Sequence, residues 1–367
     1  MKPVAAIPLV LILSSSLFSQ SEEVTQDLIN NAVQQLIQFQ EADGAWPYEG
    51  VYRVNREIPV GYRIGGTSIV CTALLYATAD NSDEENQAVD SAIQRGIEIV
   101  LSDLEEPLME ASTANRYDVR VWGHIYALDF FCRVRASRRY EELQKKTDAW
   151  IPQLVEILKT EQIDDGGWNY ATRSRHAAFV TSPAVQALLL ARQQGEEVPD
   201  EVFERAKQVL LKSRTEEGAF QYSGVVGRRP TKLPGSIARS SLCESTLVLL
   251  GEGDVEQIYD SINAFHEHWD ELEKRRAKTG THEGPYGIAP YYFYFGHRYI
   301  GQALQLLAEE DAATESAKLK SVLMKTKSDK DTWNDRVFDR SAAYGTAMSV
   351  LALLENIPLP EKIQWNE

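Results

Sequence analysis

Two kinds of apolar pattern alternate along the chain. In the first, apolar residues recur at three- and four-residue steps with charges between them, as in a helix with one wet face. This pattern covers Asp27 to Gln40, Asn86 to Leu101, Glu141 to Thr160, Asp200 to Lys212, Val255 to Arg276 and Thr314 to Lys325. In the second, shorter segments are apolar nearly all round: Thr67 to Ala77, Val121 to Val134, Ser182 to Ala191, Ser240 to Leu250, Tyr292 to Leu307 and Ala342 to Leu354. A helix with no wet face is surrounded by protein. The order is therefore wet, dry, wet, dry. The alternation predicts an all-α fold, an (α/α)6 toroid with six dry helices as inner wall and six wet helices outside. An open solenoid would need polar terminal repeats, whereas the last dry segment, Val350 to Leu354, is as apolar as the others.

A short signature falls between each wet helix and the next dry one. It reads Gln40-x-x-Asp43-Gly44-x-Trp46 and Gln162-x-x-Asp165-Gly166-x-Trp168. Worn copies are Arg214-x-x-Glu217-Gly218-x-Phe220, Gly280-x-x-Glu283-Gly284-x-Tyr286 and Lys327-x-x-Lys330-Asp331-x-Trp333. A period of roughly 55 residues marks one supersecondary unit copied several times, and the Gly supplies the turn after a helix end. A motif in many copies reads as scaffold rather than active site. No Pro- or Ser-rich linker separates the repeats, so residues 21–367 are expected to form one domain. The longest irregular stretches, 47–64 and 224–234, are where function is expected on such a ring.

The chain has 367 residues and a net charge of −16, which argues against nucleic acid and anionic membranes as partners. It argues mildly against a long polyanionic substrate. The N-terminus, Met-Lys-Pro followed by an apolar run from Val4 to Leu13 and then serines, has the layout of an export signal over residues 1–20. The run is short for a bilayer span. An exported, periplasmic or extracellular protein is the expectation. Cys71, Cys132 and Cys243 are too few and too widely spaced for a disulfide framework and read as small buried residues.

The repeated signature resembles the QW motifs of the squalene cyclase and protein prenyltransferase superfamily, over nearly all of the chain beyond residue 20. The resemblance implies that Gln40, Trp46, Gln162 and Trp168 are structural, the Gln capping a helix end and the ring packing. The superfamily's catalytic marks are missing. Asp164-Asp165 lies inside a repeat marker, and Asp329-Lys330-Asp331-Thr332 lacks the last carboxylate of an Asp-x-Asp-Asp run. The residues six before the three cysteines are Gly65, Tyr126 and Ile237, so the Asp–Cys pair of a zinc prenyltransferase is absent. Cys243 is followed by Glu244-Ser245-Thr246 and not by the Gly-Glu-Gln of a thioester domain. No metal and no cofactor is expected.

Aligned on their shared cores, the dry helices carry one recurrent polar position: Thr72, Tyr126, Gln186, Ser245, Gln302 and Ser349. These form a collar in the central cavity or satisfy neighbouring helices. A second set lies at or near the starts of the dry helices: Asp118, Arg120, Trp122, His124, His176, Arg239, Tyr291, Tyr292, His297, Arg340 and Tyr344. There it would ring one mouth, where free N–H groups suit an anionic or carbonyl ligand, or it serves ordinary capping. Asp129 sits deep in an apolar run and must be paired, Arg133 being one turn on, or shifted in pKa. Glu244 is similar. The candidate catalytic groups are Asp118, His124, Tyr126 and Asp129. Arg120, Trp122, His176, Gln186, Arg239, Glu244, Tyr291, Tyr292, His297, Gln302 and Arg340 are the candidate binding groups.

Three functions remain open on these residues. One is an isoprenoid-like ligand in an aromatic central cavity, with or without turnover, since aromatic faces stabilise cations. Another is a carbohydrate-active toroid: paired carboxylates would point to hydrolysis, and a His/Tyr base with Arg to β-elimination from uronates. The last is a non-enzymatic ring that docks a protein. A dry aromatic cavity, a wet cleft or a filled centre with a flat mouth would separate them.

Overall fold

A computed structural model describes residues 25–79, 83–110, 119–171, 175–354 and 357–365. Within them the chain is all helix, with only isolated bridges in the extended pattern. The inner helices are α2 (Val60–Ala77), α4 (Arg120–Ser137), α6 (Ala178–Gln193), α8 (Ile237–Leu249), α11 (Tyr292–Ala303) and α13 (Ser341–Leu353). The outer ones are α1 (25–38), α3 (Asp83–Leu104), α5 (Glu141–Glu161), α7 (Asp200–Ser213), α9 (Val255–Glu267) with the short α10 (Trp269–Glu273), and α12 (Glu309–Thr326). Each inner helix packs on the next, and α13 packs back on α2, so the ring closes.

The repeat signature fastens this arrangement by hydrogen bonds. In the first copy Trp46 Nε1 donates to the Leu36 carbonyl at 2.7 Å, and Gln40 Nε2 donates to the carbonyls of Gly44 and of Ala92 in α3. The second copy repeats this through Trp168 to Leu158 and Gln162 to Gly166 and Val202 of α7. Each Gln thus reaches the following outer helix rather than capping its own. The backbone N–H of each aromatic is taken by a hydroxyl on or beside the next inner helix: Trp46 by Thr67, Trp168 by Thr181, Phe220 by Ser236 and Trp333 by Thr346. All these aromatics are fully buried. Gly44, Gly166 and Gly218 have positive φ, as the tight turn requires, and Asp331 takes the same region in the last copy.

Two boundaries differ from the sequence reading. Helix α2 starts at Val60, well before Thr67. Its Gly61, Gly65 and Gly66 look like loop residues but lie inside the helix, because neighbours approach too closely for a Cβ: Val119 at Gly61, Trp122 at Gly65, and the Trp46–Tyr48 backbone at Gly66. The outer helix expected over Val255 to Arg276 breaks at His268, where Trp269 turns inward and donates to Nε2 of His297 at 2.9 Å. The copy at 280–286 does not close on its aromatic; Tyr286 is only half-buried, and Glu283 pairs with Arg275 at 2.7 Å.

The three cysteines are free and buried. No helix among the described residues is long and apolar enough to cross a membrane. The segment 357–365 lies across the end of the ring where the inner helices finish. Arg133 donates to the Pro358 carbonyl, Ile363 N to the Leu249 carbonyl, and Ile357 and Ile363 are buried.

Candidate functional site

The opposite end of the ring is open. The inner helices begin there, and all six connections that lead into them contribute walls to a cleft of about 620 Å³. Val51, Tyr52 and Tyr62 come from around the start of α2 and Val119 from that of α4. Asn169, Tyr170 and Arg175 precede α6, Tyr222 and Ser223 precede α8, Thr281, His282 and Tyr291 precede α11, and Arg336 precedes α13. Five tyrosines and three basic side chains make this lining aromatic and cationic, in a chain that is acidic as a whole.

His282 and Tyr291 meet inside the cleft. Nδ1 of His282 lies 2.8 Å from the Gly287 carbonyl, which can only accept, so Nδ1 carries the proton. Nε2 is then a bare lone pair, and the Tyr291 hydroxyl donates to it at 2.9 Å. Burial, helped by the Arg239 and Arg336 charges, lowers the His282 pKa below its ordinary 6.5, so the imidazole is neutral at neutral pH. Burial likewise pushes the Tyr291 phenol well above 10. Tyr222 packs edge-on against the imidazole at 4.4 Å, and the Arg336 guanidinium stands 5.9 Å from the centre of the Tyr291 ring. Arg336 is itself held by the Tyr48 hydroxyl and the Gly280 carbonyl. Arg175 makes no ion pair among the described residues.

Below the cleft lies an aromatic floor. Trp122 packs on Tyr62, Tyr48, Tyr344 and Tyr126 with ring centres 4.9–6.5 Å apart. Beneath it the hub of the ring is nearly filled. Its cavity is about 30 Å³ and is lined by Thr72, Tyr126, Asp129, Arg133, Gln186, Arg298, Tyr299 and Gln302 among others. Asp129 forms a two-pronged pair with Arg133 at 2.8 and 3.0 Å. The Tyr126 and Tyr299 hydroxyls are 3.0 Å apart, and Gln302 donates to Gln186, which donates to Thr246. Of the recurrent polar collar, Thr72, Tyr126, Gln186 and Gln302 line this space. Ser349 instead bonds the Gly345 carbonyl of its own helix, and Ser245 is buried away from the lining.

Of the proposed mouth set, the structure brings only Tyr291 into the cleft wall. Trp122 forms its floor. Asp118 lies outside the described residues. Arg120 turns away to Glu161 of α5 at 2.9 Å, a pair of side chains 1% and 2% exposed. His124 faces the Met109 main chain, and burial with the nearby Arg120 charge lowers its pKa to about 3. His176 bridges Asp165 and Ser213, both at 2.7 Å. Arg239 donates to the Phe220 and Gly235 carbonyls and lies under Tyr292. His297 is locked between the Phe293 carbonyl and Trp269. Glu244 pairs with Arg214 at 2.6 Å, and the half-exposed Arg340 with Glu41 at 2.8 Å. These residues fasten loops and helices to one another. The common reason is direction: a side chain at the start of an inner helix points outward as readily as toward the axis.

Asp335 is a further group the sequence did not single out. It is fully buried beside Arg336, and neither carboxylate oxygen has a hydrogen-bond partner among the described residues. Burial, offset only in part by Arg336, raises its pKa to about 7. Among the described residues no three His, Cys, Asp or Glu side chains gather closely enough to hold a metal ion.

No family model matches the chain, and no curated protein sequence matches it. Solved structures do. The GH76A alpha-1,6-mannanase from Salegentibacter sp. HEL1_6 superposes with a TM-score of 0.58 at 13% identity, over 90% of this chain and 98% of that one. The type II terpene cyclase MstE from Scytonema, in complex with geranylgeranyl dihydroxybenzoate, gives 0.56 at 14% identity, over 90% and 96%. A D-mannose isomerase gives 0.54 at 11% identity, over 90% and 97%. The fold is an (α/α)6 toroid. At these identities the likeness is one of fold alone, and that fold is common to a terpene cyclase and to proteins that act on sugars.

Proposed function

We propose that the protein is an exported carbohydrate-active enzyme that takes an acidic sugar chain into the tyrosine-lined mouth and cleaves it by β-elimination. The observation that carries this reading is the neutral His282–Tyr291 pair in a wet aromatic cleft that also holds Arg336 and Arg175. Tyrosine faces stack on sugar rings, and hydroxyl, amide and guanidinium groups hydrogen-bond their edges. A guanidinium matches a uronate carboxylate in a two-pronged geometry and stabilises the charge that builds when the adjacent carbon loses its proton.

The proton transfer suits this pair. Tyr291 Oη takes the proton α to the carboxylate while its own proton passes to Nε2 of His282. The C–H electron pair forms the C=C bond, the bond to the β-oxygen breaks, and that oxygen receives a proton from the imidazolium through Tyr291. The phenol never has to persist as a buried phenolate, which its raised pKa disfavours. The described lining holds no pair of carboxylates of the kind a two-acid glycoside hydrolase uses.

Volume weighs against an isoprenoid in the hub. About 30 Å³ is the liquid share of a single water, and the walls carry Asp129, two arginines and two glutamines. A panel of neutral and uronate-containing polysaccharides tests the proposal by affinity electrophoresis. Retardation by uronate polymers, weakened by Arg336→Gln and by Arg175→Gln, is expected. Equal mobility in every polymer, or a co-purifying isoprenoid seen by native mass spectrometry, would overturn it.

A further inference from the structure

We infer that the hub of the ring is a binding site for a small monovalent anion, held by Arg298. This does not depend on the reading of the mouth. Arg298 projects from α11 into the hub cavity and is buried, at 7% exposure. A guanidinium is always charged and carries five N–H donors. Other buried arginines of the ring use theirs: Arg120 on Glu161, Arg133 on Asp129, Arg239 on the Phe220 and Gly235 carbonyls. Among the described residues Arg298 has no hydrogen-bond acceptor and no ion pair; its guanidinium stands 5.7 Å from the centre of the Tyr299 ring. A buried cation left in this way is costly unless something else supplies the negative charge.

The surroundings say what that is. The charged groups of the hub lining are Arg133, Arg298 and Asp129, and Asp129 is already committed to Arg133 through both oxygens. The sum is one uncompensated positive charge. The space of about 30 Å³ beside Arg298 admits a single small ion and excludes a sugar or a lipid. A guanidinium is weakly hydrated, which suits a halide. The uncompensated burial also lowers the Arg298 pKa, and an anion would reverse that shift.

The test uses the whole chain. Crystals soaked in sodium bromide should show an anomalous peak in the hub within hydrogen-bond distance of the Arg298 guanidinium. In solution, Tm should rise saturably with sodium chloride or bromide at constant ionic strength, and stay flat when bulky gluconate replaces them. Arg298→Gln should abolish the halide-dependent rise. A hub without bromide density, or a rise in Tm equal for gluconate and chloride, would overturn the inference. If Arg298→Gln does not fold, the bromide experiment on the unaltered chain decides alone.

Discussion

The Tyr291 hydroxyl donates to Nε2 of His282 at 2.9 Å, and the Gly287 carbonyl fixes the imidazole tautomer from the other side at 2.8 Å. A phenol and a neutral imidazole in series form a proton relay that opens on the cleft at one end and on a backbone carbonyl at the other. Tyr291→Phe removes the group that meets the substrate and leaves ring packing in place. It is expected to lower kcat on a uronate polymer by roughly 100- to 10,000-fold, with Tm nearly unchanged. Steady-state kinetics with a thermal melt checks both halves.

The relay needs a neutral His282. Because its pKa is lowered from 6.5, activity should be complete at neutral pH. It should fall only as pH drops through the lowered value, on an acid limb below 6.5. Arg336 is one of the charges that lower it, so Arg336→Gln should move that limb to higher pH as well as weaken binding. A pH profile of kcat/KM for the two proteins reads the sign directly.

Asp335 gives the fold a pH dependence of its own. Its pKa in the folded chain is raised to about 7 from an ordinary 3.8. The folded state therefore holds this proton more tightly than the unfolded state does. The group's contribution to stability is greatest below pH 4, declines as pH rises from about 4 to about 7, and is a constant penalty above that. Asp335→Asn should be more stable than the parent above pH 7, by a few kcal/mol at most, with the difference shrinking toward pH 4. Urea melts at several pH values test this.

The six helix pairs were legible because wet and dry periodicity differ along the whole chain and the signature marks each junction. What fastens the signature was not. The hydroxyls that receive the aromatic N–H groups lie 21, 13, 16 and 13 residues on, since the intervening loops differ in length, so no fixed spacing betrays Thr67, Thr181, Ser236 and Thr346. The cleft was hidden for a similar reason. Tyr52, Tyr170, Tyr222 and His282 sit in irregular connections, where sequence pattern says nothing about which way a side chain faces. Arg120, His176 and Arg239 stand at regular positions on or beside inner helices and turned out to bind neighbouring backbone and side chains instead. Asp129 was readable because a carboxylate in an apolar run needs a partner, and Arg133 one turn on supplies it.

Those hidden hydroxyls make a prediction about stability. Thr181→Val keeps the shape but leaves the Trp168 N–H buried without an acceptor. The expected cost is about 1–3 kcal/mol, and Thr67→Val and Thr346→Val should behave alike if the repeats are equivalent. Chemical denaturation of the three variants measures it.

The central claim is that the mouth cleaves an acidic sugar chain by elimination. The most direct measurement incubates the purified protein with uronate-containing polysaccharides. It follows the ultraviolet absorbance of the conjugated alkene carboxylate, with mass spectrometry of the released fragments. The account predicts fragments bearing an unsaturated non-reducing end and no net addition of water, lost in Tyr291→Phe. Fragments that have gained water without any alkene, or no cleavage of any uronate polymer by a protein that folds, would contradict it.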